Sequence, residues 1–233
     1  MDHGKPIIYV KNVRKVYRMG DEEVVALKRI NLRIYKGEVC CIFGTSGSGK
    51  STLLNQLAGM EKPAKGQVFI RGKNISDMNE EELAAFRQEH MSFIFQSYNL
   101  LPSMTAVENV AMPLMFKGMD RKRREAMAEE MLKRVGLSHR LHHYPSQMSG
   151  GQQQRAGIAR AFVSRPEVVF ADEPTGNLDT KTTAEIMDMV MGFARRFNQT
   201  IILVTHDPGM SRYADRIVTL VDGIITGDER KGQ

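Results

Sequence analysis

Cysteine is nearly absent: the chain has two among its 233 residues, and these are neighbours, Cys40 and Cys41. On a strand, adjacent side chains point to opposite faces. Their spacing is not that of a metal site, so they read as two small core hydrophobes in a reducing compartment, which excludes a disulfide-stapled scaffold. Long apolar runs are also missing. No stretch approaches the roughly 18 uninterrupted apolar residues of a membrane span, so direct membrane insertion is not expected. The start, MDHGKPIIYVKNV, lacks the basic-then-apolar layout of a secretory signal, and the expected compartment is the cytoplasm. There is no internal repeat and no sustained heptad, which argues against solenoids and long coiled coils. Nor does one sign of charge dominate. The net charge of +6 is modest and compatible with a triphosphate, an anionic membrane surface or nucleic acid. The densest basic patch, Arg121-Lys122-Arg123-Arg124, opens a helical pattern with Met127, Met131, Leu132 and Val135 on one side. Glu129 with Lys133 and Glu130 with Arg134 are spaced i,i+4, so the patch reads as a solvated helix face rather than a nucleic-acid stripe.

What is present centres on Glu38 to Gly59. An apolar run from Val39 to Phe43 reads as a buried strand, and a helix-forming run from Lys50 to Ala58 follows. Between them, Gly44-Thr45-Ser46-Gly47-Ser48-Gly49-Lys50-Ser51 fits G-x-x-x-x-G-K-[ST]. Small residues let the backbone curl so that successive N–H groups converge on an oligophosphate. The helix beginning near Lys50 adds the positive end of its dipole. Lys50 supplies a full charge for the β- and γ-phosphates, Ser51 a hydroxyl for Mg²⁺, and Thr52 follows in the same turn. The alternative is a flexible Gly/Ser turn that happens to contain a lysine; at ordinary residue usage chance yields this pattern in about one chain in a hundred. The flanking strand and helix favour a nucleoside triphosphate site.

Along the chain, Ile7–Val13 and Val24–Ile34 read as strands of an antiparallel front sheet, with Tyr17 just before a loop at Gly20-Asp21-Glu22. Further strands are expected at Gln67–Arg71, Met91–Phe95, Glu167–Ala171 and Thr200–Val204, with a last pair bracketing Asp222-Gly223. Helices are expected at Glu80–Glu89, Gly150–Val163 and Thr180–Phe197. Strands alternating with helices predict an α/β fold with a mainly parallel sheet. Residues 97–146 are strand-poor and read as a helical subdomain inserted into a core of residues 1–96 and 147–233. The polar tail from Gly227 to Gln233 is expected to fray.

Three more stretches carry chemistry. Val168–Ala171 runs into Asp172 and Glu173, which places two carboxylates at the carboxyl edge of a buried parallel strand, where ligands bind. Asp172 is the candidate Mg²⁺ holder, and Glu173 the candidate general base or water-orienting group. The plainer reading is a strand end with solvated carboxylates; the phosphate loop tips the balance. Ser149-Gly150-Gly151-Gln152 opens a helix and offers a second anion site. A second such site has a use if it serves another molecule's phosphate, which points to a head-to-tail dimer around nucleotide. Gln96 and His206 each follow a strand at the expected ligand edge; a lone histidine at a strand end is usually a satisfied surface residue, but at this edge His206 is a candidate contact for the γ-phosphate.

Taken together and in this order, these motifs resemble the ATP-binding cassette (ABC) ATPases, over nearly the whole chain. FIFQSYNLLP, MSGGQQQRAGIARA, ADEPTGNLDT and VTHDP are most similar to the macrolide-export and lipoprotein-release branch (MacB-like, LolD-like), with FtsE-like cell-division ATPases close by. The resemblance implies a P-loop NTPase of the ABC type with an antiparallel β-subdomain and a helical subdomain, and ATP with Mg²⁺ as cofactors. It implies that Tyr17 stacks on adenine and that Gln96 links γ-phosphate and metal to the permease-facing subdomain. Ser149 and Gly151 would bind the partner subunit's nucleotide, Asp179 would cross the dimer interface, and His206 would sense the γ-phosphate. Met148 stands where the signature usually has Leu, a mild swap in volume. The implied partners are a second copy in the ATP-bound state and an integral-membrane permease, with the protein peripheral on the cytoplasmic face of the membrane. A nucleic-acid or ribosome cassette is disfavoured because only about a hundred residues separate Lys50 from Ser149, with no coiled coil between them. A monomeric P-loop kinase leaves SGGQ without a use. Neither the cargo nor the direction of coupling is encoded in the motifs.

Overall fold

The computed structural model describes residues 4–20 and 22–231. Asp21 of the expected Gly20–Glu22 loop, the first three residues and the last two of the tail lie outside the described residues. The chain divides into two compact units, residues 1–87 with 200–233, and residues 88–199.

In the first unit, β1 (Ile8–Met19) and β2 (Glu22–Ile34) pair antiparallel. β4 (Lys65–Ile70) joins the other edge of β1, followed by the two-residue β5 (Lys73–Asn74). Both long strands run further than their apolar cores suggest, because register shifts between Val10 and Val16 let the ladder continue past an irregularity. Tyr17 therefore lies within β1, opposite Val24. The other sheet of this unit centres on β3 (Val39–Phe43), parallel to β8 (Thr200–Thr205) on one side and β9 (Arg216–Val221) on the other. All six residues of β8 are buried, the continuous apolar signature of a parallel strand covered on both faces. α1 (Lys50–Leu57) follows β3, buries Leu53, Leu54 and Leu57, and packs on β8. α2 (Glu80–His90) begins in this unit, with three glutamates in its first turn matching the helix dipole. β10 (Ile224–Arg230) pairs antiparallel with β9. The expected fraying is thus corrected for residues 227–230. Asp228 takes both ends of the Arg216 guanidinium at 2.5 and 2.6 Å, and backbone pairing continues to Arg230.

In the second unit, β6 (Met91–Phe95) pairs in parallel with β7 (Val168–Asp172), and Phe93 stacks on Phe170 at 5.4 Å between ring centres. The helices start at side-chain caps. α3 (Ala106–Phe116) and α5 (Gly150–Val163) carry capping boxes, Thr105 with Glu108 and Ser149 with Gln152. α4 (Arg121–Arg134) is capped by Asp120 and α6 (Thr180–Phe197) by Asp179. α3, α4 and α6 each pack against α5 or one another in this unit, which leaves α5 as its central helix. Val135 and Leu132 are buried as the α4 pattern predicted, while Arg121–Glu125 and Arg134–Glu130 pairs line its solvent side.

Candidate functional site

The phosphate loop has the geometry its residues demand. Gly47 and Gly49 sit at φ 79° and 100°, in the left-handed region that favours glycine. A Cβ on Gly49 would lie 2.7 Å from the Ala26 carbonyl, so a side chain is excluded there by space as well as by backbone conformation. Thr45, Ser46 and Gly47 are exposed. α1 starts at Gly49 without a side-chain cap or an acidic residue in its first turn, which suits its N–H groups to an anion. Lys50 is buried, and its Nζ donates to the Thr45 carbonyl at 2.8 Å, so the charge lies back along the loop. Ser48 is buried, Ser51 exposed and Thr52 half-buried.

Register then decides what stands beside the loop. Phe43 pairs with Thr205 across β3 and β8, so Gly44 and His206 leave adjacent parallel strands at the same carboxyl end. The second unit repeats the arrangement: Phe95 pairs with Asp172, and Gln96 and Glu173 leave β6 and β7 together. Asn177 Nδ2 donates to the Gln96 carbonyl at 3.1 Å. A Cβ on Gly176 would meet Gln96 Nε2 at 2.7 Å, so the Gly176–Asp179 turn and the Gln96 loop are in close contact. Glu173 has φ 44°, a conformation rare outside glycine that clusters at functional sites.

Ser149 and Gln152 are mutually engaged. Ser149 Oγ accepts from the Gln152 N–H at 3.4 Å, and Gln152 Oε1 accepts from the Ser149 N–H at 3.0 Å. A Cβ on Gly151 would meet Thr182 at 3.2 Å, so the starts of α5 and α6 lie side by side. Asp179 is exposed and accepts from the Thr182 N–H and hydroxyl at 3.0 and 2.6 Å; those bonds hold its carboxyl below the usual carboxylate range. Met148 is buried, where a thioether chain fills leucine-sized space.

Tyr17 is half-buried and does more than its pattern suggested. Its hydroxyl donates to Glu61 at 2.8 Å, and Lys15 Nζ lies 5.1 Å from its ring centre. Burial, then the Glu61 carboxylate, pushes its phenol upward. Glu61 also takes Lys15 at 2.8 Å and Asn55 at 3.0 Å; burial works against it, but those partners hold its carboxyl below the usual range. Sequence reasoning missed Glu61, Gln154, Arg160 and Asn177. Of these only Asn177 had a local signal, in the Gly-Asn-Leu-Asp turn.

Of the apolar residues after Gln96, Leu101, Met115 and Phe116 are exposed, while Leu114 is core and Tyr98 is half-buried. A groove of about 240 Å³ between α3 and α4 is floored by Met104, Met112 and Met115 and rimmed by Arg121 and Arg124.

The ABC transporter family profile matches residues 27–176, well over half of the chain. The chain belongs to the ABC transporter family. It is 48% identical to an uncharacterized ABC transporter ATP-binding protein of Methanocaldococcus jannaschii, over 94% of this chain and 97% of that protein. It is 47% identical to a macrolide export ATP-binding/permease protein MacB of a Shewanella species, over 97% of this chain. The chain spans about a third of the length of that MacB relative, 34%. Among solved structures, a dimeric post-hydrolysis state of an ATP-binding cassette bound to ADP and Pi superposes with a TM-score of 0.89. That cassette is 42% identical, with 96% of this chain and 98% of that one covered. The ABC cassette fold expected from the motifs is thereby established, as is the assignment to the MacB-like branch. The protein is an ATP-binding, ATP-hydrolysing subunit of an ABC transporter. No helix among the described residues is long and apolar enough to cross a membrane.

Proposed function

We propose that two copies of this cassette close around ATP and that hydrolysis reopens them to drive a membrane permease. Residues 44–52 hold the phosphates, with Lys50 as the charge on the β- and γ-phosphates, and Tyr17 is the adenine platform. Glu173 accepts the proton of a water that attacks the γ-phosphorus; the bond to the β-phosphate oxygen breaks and ADP leaves. His206 contacts the γ-phosphate. Ser149, Gly150, Gly151 and Gln152 of one copy take the nucleotide of the other, with Asp179 beside them at the interface.

Mg²⁺ fits the donors available. Ser51, Asp172 and Gln96 offer hydroxyl, carboxylate and amide oxygens, hard ligands that suit a magnesium ion held mainly by nucleotide phosphates. When bound it would neutralise charge on the phosphoryl group in flight.

The observation that supports this reading most is the pairing of Phe95 with Asp172, which sends Gln96 and Glu173 from one strand edge. The MacB relative is named as an ATP-binding and permease protein in one chain, and the matched solved cassette is described as dimeric. The first supports a permease as partner and the second a homodimer; in this reading the pair acts from the cytoplasmic face of the membrane, and nucleic acid is not among its partners. The cargo would be chosen by that permease.

The test is Glu173→Gln. An amide cannot accept the water's proton, so turnover should fall by at least about 100-fold, within the range general bases contribute. With ATP and Mg²⁺ the variant should accumulate as a dimer in size-exclusion chromatography. Near-parental hydrolysis would remove Glu173 from this role.

A further inference from the structure

Five residues after Ser149, α5 carries Gln154, whose side chain is fully buried. Its amide nitrogen donates to the carbonyl of Pro174, the residue directly after Glu173. Its Oε1 has no hydrogen-bond partner among the described residues. A buried amide with one end unsatisfied is a poor choice for packing alone, because an apolar side chain of similar volume would fill the space without desolvating a polar group. The bond it does make lies where the backbone needs holding. Glu173 stands at φ 44°, a conformation that persists in a non-glycine residue only when its surroundings impose it. From inside the turn, the Gly176 N–H donates to the Glu173 carbonyl at 3.1 Å. From outside, Gln154 holds the next carbonyl along.

We propose that Gln154 is a positioning residue for ATP hydrolysis: it fixes the Glu173–Pro174 backbone and ties the placement of Glu173 to the start of α5. Ser149 and Gln154 are separated by about 7.5 Å of helix rise, and the capping box ties the start of that helix to its first turn. A shift of Ser149–Gly151 on meeting a second copy's nucleotide is therefore carried along the helix to Pro174. Glu173 is set for its water only when the partner's nucleotide is engaged. The inference rests on the reading of Glu173 as the base and of Ser149–Gly151 as the contact made across the dimer.

The experiment compares kcat and KM for ATP in the full-length parent, Gln154→Met, Gln154→Glu and Glu173→Gln, with binding of a fluorescent ATP analogue measured alongside. Gln154→Met keeps the volume and loses the donor. Its kcat should fall by about tenfold to a hundredfold, as displacement of a reacting group by about 1 Å does, with KM and analogue binding unchanged. Gln154→Glu sets a carboxylate against the Pro174 carbonyl, but its protonated form regains a donor. The ratio of its kcat to the parent's should rise as the pH is lowered from mildly alkaline to mildly acidic, a response that a packing defect does not produce. Parent-like kcat in Gln154→Met, or a loss in Gln154→Glu that does not respond to pH, would overturn the inference. If Glu173→Gln is inactive while Gln154→Met is parent-like, the inference alone fails. Parental turnover by Glu173→Gln would instead remove the base assignment, and this inference with it.

Discussion

Arg160 Nη2 on α5 donates to the Tyr98 carbonyl at 2.8 Å, and Nη1 reaches the next carbonyl, that of Asn99. Tyr98 and Asn99 both have positive φ, at 61° and 47°, so the arginine holds a sharp bend directly after Gln96. Burial pulls this guanidinium below its ordinary pKa, yet it stays charged because arginine titrates so high. Further along, Asn109 is buried and joins the N–H and carbonyl of Leu101 to the carbonyls of Met104 and Thr105. The segment between Gln96 and α3 is therefore braced at both ends rather than loose.

We propose that the permease docks on this segment, near Tyr98 and Leu100, and the bracing sharpens a test of it. Leu101 is 42% exposed on a rigid loop, near in sequence to the groove floored by Met104. Leu101→Asp should reduce co-purification with the membrane partner while leaving ATP hydrolysis by the free protein intact. Tyr98→Glu is a harsher probe, because the Tyr98 hydroxyl lies 2.7 Å from where a Cβ on Gly150 would stand; it should also lower basal hydrolysis. Undiminished recovery of the permease with both variants would place the docking surface elsewhere.

Tyr17→Ala should weaken ATP binding by about 1 kcal/mol, the worth of a lost ring contact, with little change in saturated turnover. Tyr17→Phe keeps the ring but loses the bond to Glu61. It should bind more weakly than the parent and more tightly than Tyr17→Ala, because the ring is kept while the bond that holds it to Glu61 is lost. Titration with a fluorescent ATP analogue orders the three. Equal affinities would move the adenine platform off Tyr17.

The head-to-tail sandwich is tested by mixing. Ser149→Arg and Lys50→Ala subunits should each be inactive alone. A mixed dimer has one composite site with both lesions and one with neither, so part of the activity should return once native mass spectrometry shows that mixed dimers form. Loss of ATP binding by monomeric Ser149→Arg would place Ser149 in its own subunit's pocket and sink the trans arrangement.

Alkaline pH probes the core. Burial pushes the Cys41 thiol up from 9.0 to about 11, and burial pushes Cys40 higher still. The folded state favours the neutral thiols, so their contribution to stability is complete below the unfolded value. For Cys41 it is lost as pH rises from about 9 to 11. Thermal unfolding followed by circular dichroism should show Tm falling across that window. Cys41→Val should reduce the fall; an identical pH profile in this variant would assign the alkaline loss to other groups.

Much of the cassette is legible in its sequence because local residue identity governs local backbone. Gly47 and Gly49 permit the loop, Ser149 and Asp179 start helices, and Val39–Phe43 and Thr200–Thr205 are apolar enough to be buried strands. What local identity cannot convey is adjacency. Nothing between residues 40 and 205 states that Phe43 and Thr205 are partners, yet that register sets His206 beside Gly44. Gln154 reads as one more polar residue in a Gln-Gln-Gln run, and Arg160 as one more charge on a helix. Their roles are fixed by acceptors 20 and 62 residues away in sequence. A hydrogen bond across such a separation depends on how the elements pack, and the sequence around either partner holds no record of it. The chain's residue types thus determined which reactive groups it carries and which loops and helix starts present them. Tertiary packing decided which of those groups share a strand edge, and which silent side chains hold them there.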